Sequence, residues 1–205
     1  MSSLAALRKS AARLITGPIV QVIGKSGITP DALTWLGLII NIAAAVVIAY
    51  NHLIVGGVLV LVSGLFDILD GALARLTNKI TRFGALLDST FDRLSEAAVF
   101  IGLLVLYVGK GDILATTLIS LAMAGSFLTS YVRARAEGLG LECQTGLFTR
   151  TERVIILVLG LVFNRFLIVA LAILVVLSFV TVGQRMVHVW LETKRQESTK
   201  NKEGG

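Results

Sequence analysis

The chain has 205 residues, 55% of them hydrophobic and only 16% charged, with a mean hydropathy of +0.84 and a formal net charge of +6. Water-soluble domains carry about 25% charged residues, so a soluble globular fold is excluded and the long apolar runs read as an all-α, multi-pass membrane protein. The single cysteine, Cys143, excludes an intrachain disulfide and a thiolate metal site.

In chain order, Leu4, Leu7, Ala11, Leu14 and Ile15 recur at helical spacing, with Arg8, Lys9 and Arg13 elsewhere. This predicts a basic amphipathic helix within residues 1–17 that lies at the lipid interface. No apolar stretch there has the length of a cleavable signal. Pro18 and Gly27 to Pro30 interrupt it. Six transmembrane helices are then predicted, at about 33–50, 53–74, 91–108, 113–132, 154–163 and 166–188, the fifth shorter than a bilayer crossing and reaching back through Glu152 and Arg153. Breaks fall at Asn51-His52, 75–83, Lys110 to Asp112, 137–150 and Asn164-Arg165. The polar tail, 194–205, is expected to be disordered. No repeat divides the chain, so 1–205 reads as a single membrane domain.

With both termini cytoplasmic, two of the 19 lysines and arginines, Lys110 and Arg165, fall outside and the other 17 fall inside. The positive-inside rule favours that orientation in a cytoplasmic membrane. The net charge then matches an anionic inner leaflet and an anionic substrate, with no nucleic-acid partner required.

Asp67, Asp70, Gly71 and Ala74 share one helical face, and Gly84, Asp88 and Asp92 share another on the next helix. A short cytoplasmic loop joins the two, so the faces are expected to bring four carboxylates to one point. An aspartate deep in a membrane costs about 2.5–3.5 kcal/mol, which protonation or a divalent cation relieves. Oxygen donors without His or Cys point to Mg²⁺ or a substitute such as Mn²⁺, and Mg²⁺ commonly shares its shell with substrate phosphates. Gly71 and Ala74 leave room for a phosphorylated ligand, and Arg75 is placed to bind a phosphate oxygen. Spacing alone does not decide which aspartate takes a proton.

These residues fit, at every position from Asp67 to Asp92, the signature D-x2-D-G-x2-A-R-x8-G-x3-D-x3-D, and the chain so resembles the CDP-alcohol phosphotransferase family. The resemblance implies that Asp67, Asp70 and Asp88 ligate metal and that Asp92 is the general base and also touches the metal. It implies that an alcohol oxygen attacks the lipid-side phosphorus of a CDP-lipid such as CDP-diacylglycerol and that CMP leaves. It also implies that the turn before the first span lies against the nucleotide. Asp31, Ala32, Leu33 and Thr34 are thus expected CDP-lipid contacts, together with Gly71, Ala74, Arg75 and Thr81. A homodimer is expected from the family alone.

The acceptor is read from basic residues at the ends of spans four to six. Arg133, Arg150, Arg153 and Arg185 are candidates to bind an alcohol that carries its own phosphate. The stretch Ser130 to Glu137, the Arg150/Arg153 pair and Gln184-Arg185 are similar to those of bacterial phosphatidylinositol-phosphate synthases, which implies inositol 3-phosphate. Those enzymes usually have lysine at the place of Arg133, and Glu-Arg-Pro-Glu-Arg in place of Thr149 to Arg153. Glycerol 3-phosphate as acceptor and an archaeal-type lipid donor therefore stay open. The competing classes are a membrane prenyltransferase, whose Asp-rich motifs would lie far apart in sequence, and a cation- or proton-coupled transporter.

Overall fold

The computed structural model describes residue 20 and residues 27–77, 81–143, 145–146 and 148–203, and its regular structure in them is all helical. The expected interfacial helix at Leu4 to Ile15 lies outside the described residues. Six helices follow: α1 (Pro30–Ala49), α2 (Leu53–Leu76), α3 (Arg82–Gly109), α4 (Ile113–Gly138), α5 (Arg150–Val162) and α6 (Leu167–Glu203), with a 3₁₀ turn, Asn164–Phe166, before the last. The chain gathers into two compact units, Met1–Gly102 and Leu103–Gly205.

In the first unit, Thr29 caps α1 by accepting from the Ala32 N–H at 3.3 Å, and Pro30 occupies the first helical position, where its missing N–H costs nothing. Asn51, at φ 67°, turns the chain back into α2; asparagine tolerates this left-handed region better than most residues. The two helices pack through small and polar residues. Ser63 Oγ donates to the Gly37 carbonyl at 2.9 Å and accepts from Asn41 Nδ2. α3 approaches α1 at Gly102, where an added Cβ would meet the Ala45 oxygen at 2.4 Å, and at Phe91, whose ring stands edge-on to Trp35 at 4.5 Å.

In the second unit, Gly111 (φ 67°) makes the turn into α4, and the Asp112 carboxylate caps it by accepting from the Ala115 N–H at 2.9 Å. Gly125 of α4 lies against Ser178 of α6, and Gly160 of α5 against Ala170. Small residues let backbones close up where lipid supplies no hydrophobic drive between helices. The Thr149 N–H donates to Glu152 Oε2 at 2.5 Å in a capping box that starts α5.

Among the described residues, four segments are long and apolar enough to cross a membrane: Pro30–Ala49, Leu53–Leu76, Ile113–Gly138 and Asn164–Gln196. Large apolar side chains such as Ile39, Ile54, Leu65 and Val176 are exposed, while Asn41, Ser63, Thr129 and Thr181 are buried. That inverts the arrangement of a water-soluble protein and suits a lipid solvent. The third helix starts at Arg82, ahead of the apolar span at about 91–108, and carries Gly84, Asp88 and Asp92 as expected. One expected boundary moves. The last runs to Glu203, so most of the tail expected to be disordered is helix. A helix already nucleated extends at little cost, and Glu192, Lys194, Arg195 and Gln196 are good helix formers. The fifth helix is short as expected: its 13 residues reach only about 20 Å, less than the ~30 Å hydrocarbon layer.

Candidate active site

Three chain segments of the first unit line an open cavity of about 250 Å³. The start of α1 contributes Pro30, Asp31 and Thr34, the end of α2 contributes Asp70, Gly71, Ala74 and Arg75, and the start of α3 contributes Gly84, Ala85 and Asp88, with Thr81 just before it. Local chemistry places each group. The Thr29 cap and Pro30 fix where α1 begins, so Asp31 and Thr34 fall in its first two turns. Thr81 Oγ1 accepts from the Gly84 N–H at 2.8 Å and holds the start of α3. A Cβ on Gly84 would fall 2.9 Å from that hydroxyl and 3.7 Å from Asp31 Oδ1. Gly71 has the Arg75 guanidinium folded over it one turn later; a Cβ there would lie 3.5 Å from Nη1.

Asp70 is the buried member of the set, 5% exposed, and its Oδ2 accepts from Thr34 Oγ1 at 2.7 Å. Asp88 and Arg75 are exposed at the rim. Asp67 and Asp92 are half-buried and do not line the cavity. Three residues back along a helix is a step of about 4.5 Å and 60°, which turns Asp67 toward α1; its Oδ1 is 3.5 Å from where a Gly37 Cβ would be. Among the described residues, no three His, Cys, Asp or Glu side chains are already gathered into a metal cage. Of the four carboxylates expected to meet at one point, Asp70 and Asp88 line this cavity, while Asp67 and Asp92 lie outside its lining. This donor set fits a small hard dication nonetheless, since Mg²⁺ usually takes one or two carboxylates and completes its shell with water and substrate phosphates.

Eight of the expected site residues line this cavity: Asp31, Thr34, Asp70, Gly71, Ala74, Arg75, Thr81 and Asp88. Leu33 does not: it is buried against Val20 and Leu73 in the hydrophobic core. Ala32 is exposed outside the cavity, and its N–H is the donor to the Thr29 cap. Near a helix start, consecutive residues point about 100° apart, so one turn cannot present all four side chains to one ligand.

The basic residues of the second unit divide into buried and exposed. Arg153 and Arg185 are 4% and 6% exposed, and both reach Thr129. Arg153 Nη1 donates to Thr129 Oγ1 at 3.1 Å; Arg185 Nη1 donates to the Thr129 carbonyl at 2.5 Å and its Nε to the Thr145 carbonyl at 2.9 Å. Gly146 (φ 135°) lets that loop approach; a Cβ on it would be 3.1 Å from Arg185 Nε. Arg133 is half exposed, pairs with Glu137 at 2.8 Å and lines a cavity of about 320 Å³. Arg150 is half-buried at the start of α5. Of the two cavities described in this unit, one is lined by Arg133 and neither by Arg150, Arg153 or Arg185. Thr129 and the Thr145 carbonyl were not foreseen; the only sequence sign was that Thr129 lies one turn before Arg133.

The profile of the CDP-alcohol phosphatidyltransferase family matches residues 27–191. The chain belongs to that family. It is therefore a CDP-alcohol phosphatidyltransferase, an enzyme of phospholipid biosynthesis, and not a transporter or prenyltransferase. The match runs through both compact units. The archaetidylinositol phosphate synthase of Methanothermobacter thermautotrophicus is 41% identical over 169 residues, covering 80% of this chain and 84% of that one. The phosphatidylinositol phosphate synthase of Mycobacterium tuberculosis (strain H37Rv) is 39% identical over 202 residues, covering 93% and 92%. The crystal structure of the M. tuberculosis phosphatidylinositol phosphate synthase with CDP-DAG bound superposes with a TM-score of 0.80 at 37% identity, over 86% of this chain and 94% of that one. A second crystal structure of that enzyme, in complex with manganese and citrate, gives a TM-score of 0.80 at 37% identity, over 85% and 88%.

Proposed function

We propose that this phosphatidyltransferase moves a phosphatidyl group from CDP-diacylglycerol to inositol 3-phosphate, giving phosphatidylinositol phosphate and CMP. The observation that carries this reading is the cavity in which Asp70 and Asp88 stand with Arg75: carboxylates for a dication beside a guanidinium for a phosphate. Support for the acceptor comes from the two relatives named as inositol-phosphate lipid synthases, and support for the donor from the M. tuberculosis enzyme with CDP-DAG bound.

Asp70 and Asp88, with Asp67 one turn before Asp70, would hold a divalent ion, Mg²⁺ or Mn²⁺, which would neutralise charge on the CDP diphosphate. Arg75 holds a diphosphate oxygen, and Gly71 and Gly84 give the nucleotide room where a side chain would intrude. Asp31, Thr34 and Thr81 border the same space. The acceptor hydroxyl oxygen forms a bond to the lipid-side phosphorus, and the bond from that phosphorus to the bridging oxygen breaks. CMP leaves with the bridging oxygen. Asp92, one turn beyond Asp88, takes the hydroxyl proton as general base. Of the second unit's arginines, Arg133, on an open cavity, is the candidate contact for a phosphorylated alcohol. In the membrane we place six spans, with both termini and the aspartates on the cytoplasmic side, as the lysine and arginine distribution favours. The chain acts as a homodimer.

The test is a panel of labelled inositol 3-phosphate, inositol, glycerol 3-phosphate and serine, each with purified enzyme and CDP-diacylglycerol, read as labelled lipid and CMP. Lipid formed from glycerol 3-phosphate or serine instead of inositol 3-phosphate refutes the acceptor. A donor with archaeal-type ether chains is the second reading, favoured by the 41% identity to archaetidylinositol phosphate synthase; a parallel panel with the CDP-activated ether lipid separates the two.

A further inference from the structure

Thr34 lines the nucleotide cavity, yet its hydroxyl is committed to the protein. Its single proton has two acceptors in reach, Asp70 Oδ2 at 2.7 Å and the Pro30 carbonyl at 3.2 Å, and the shorter contact is to the carboxylate. Both partners are buried, Thr34 at 7% exposure. The pair is one rung of a ladder between α1 and α2. Thr34 faces Asp70, Gly37 faces Asp67, Asn41 faces Ser63 and Ile48 faces Gly56. Each step along α1 is matched by an equal step back along α2, so all four contacts share one antiparallel register. Ser63 pins it by donating to the Gly37 carbonyl at 2.9 Å. Both acidic residues of α2 are therefore met by α1, one by a hydroxyl and one by the space over a glycine.

We propose that Thr34 is a positioning residue for the divalent-metal site: by holding one oxygen of Asp70 it presents the other to the ion. A carboxylate turns easily about its last bond, and a donor on one oxygen fixes the plane. The inference rests on Asp70 as a metal ligand, as proposed above. Hydrogen bonds that orient a ligating group from outside are commonly worth 10–100-fold in metal affinity.

The experiment uses the full chain in detergent, titrated with Mn²⁺ alone while free Mn²⁺ is followed by its electron paramagnetic resonance signal, with neither donor nor acceptor present. Thr34→Val is expected to weaken Mn²⁺ binding about 10–100-fold, and Thr34→Ser, which keeps the hydroxyl, to restore it. Asp70→Asn is the control for the ligand itself. If Thr34→Val binds Mn²⁺ like the parent chain and only raises KM for the CDP-lipid at saturating Mn²⁺, Thr34 is a nucleotide contact and the inference fails while the metal reading survives. If Asp70→Asn also binds like the parent chain, both fail. Melting temperature is recorded for each variant; should the valine variant not fold, Thr34→Ala gives the same comparison.

Discussion

Replacing Arg185 with methionine keeps most of the side chain's aliphatic volume and removes its guanidinium. Two hydrogen bonds disappear, to the Thr145 carbonyl at 2.9 Å and the Thr129 carbonyl at 2.5 Å. Hydrogen bonds from a charged donor are worth about 1.5–3 kcal/mol each. The Thr129 carbonyl belongs to α4 and has its helical N–H as a second partner, so the Thr145 carbonyl bears most of the loss. Relief from burying a cation that is only 6% exposed offsets part of it. The net destabilisation comes to about 2–4 kcal/mol, which in a chain of this size lowers the melting temperature by roughly 5–15 °C. Thermal unfolding of the detergent-solubilised enzyme measures this, with Arg185→Lys between the two because an ammonium cannot reach both carbonyls in the guanidinium's geometry. A melting temperature equal to the parent's, with only KM for the phosphorylated acceptor raised, would show that Arg185 serves substrate and not the α4–loop–α6 junction.

Asp92→Asn is expected to lower kcat about 10²–10⁴-fold while nucleotide binding is kept; loss of CDP affinity in a direct binding assay would make Asp92 chiefly a ligand. Chelation with EDTA should abolish transfer and added Mn²⁺ restore it, whereas full turnover in excess chelator contradicts the carboxylate site. Arg133→Ala removes an exposed ion pair worth at most about 1 kcal/mol, so the melting temperature should hold. KM for inositol 3-phosphate should rise about tenfold with KM for the CDP-lipid unchanged, and equal effects on both substrates would count against an acceptor role.

The parts of this molecule that could be read from the chain are those fixed by local spacing. Asp67 to Asp92 carry their own periodicity, and Asn51 and Gly111, both at φ 67°, mark turns that few other residues make as easily. What could not be read depends on contacts distant in sequence. Thr34 meets Asp70 across 36 residues, and Arg185 finds its two carbonyls 40 and 56 residues away. Leu33 is apolar and next to a polar turn, and only the packing of Leu73 and Val20 decides that it faces the core. The arginines beside spans four to six look alike as sequence. Burial separates Arg153 and Arg185, bound to α4, from Arg133, open to solvent. The length of α6 was missed because composition, which set the expectation for its tail, weighs residues singly and ignores that a helix is already under way.

Gly102 has a reach well beyond its own contact. The atom that an added methyl would strike is main-chain oxygen of Ala45, which cannot rotate aside as a side chain does. The only relief is for the two rods to tilt apart. Asp92 and Asp88 ride on the same rod, about 15 and 21 Å toward its other end. A tilt of a few degrees about that fulcrum is an ångström at the carboxylates, and an ångström is enough to cost a hundredfold in rate. Gly102→Ala is therefore expected to slow turnover about a hundredfold, a change as small as one methyl acting from well outside the cavity, and a kcat equal to the parent's would refute it.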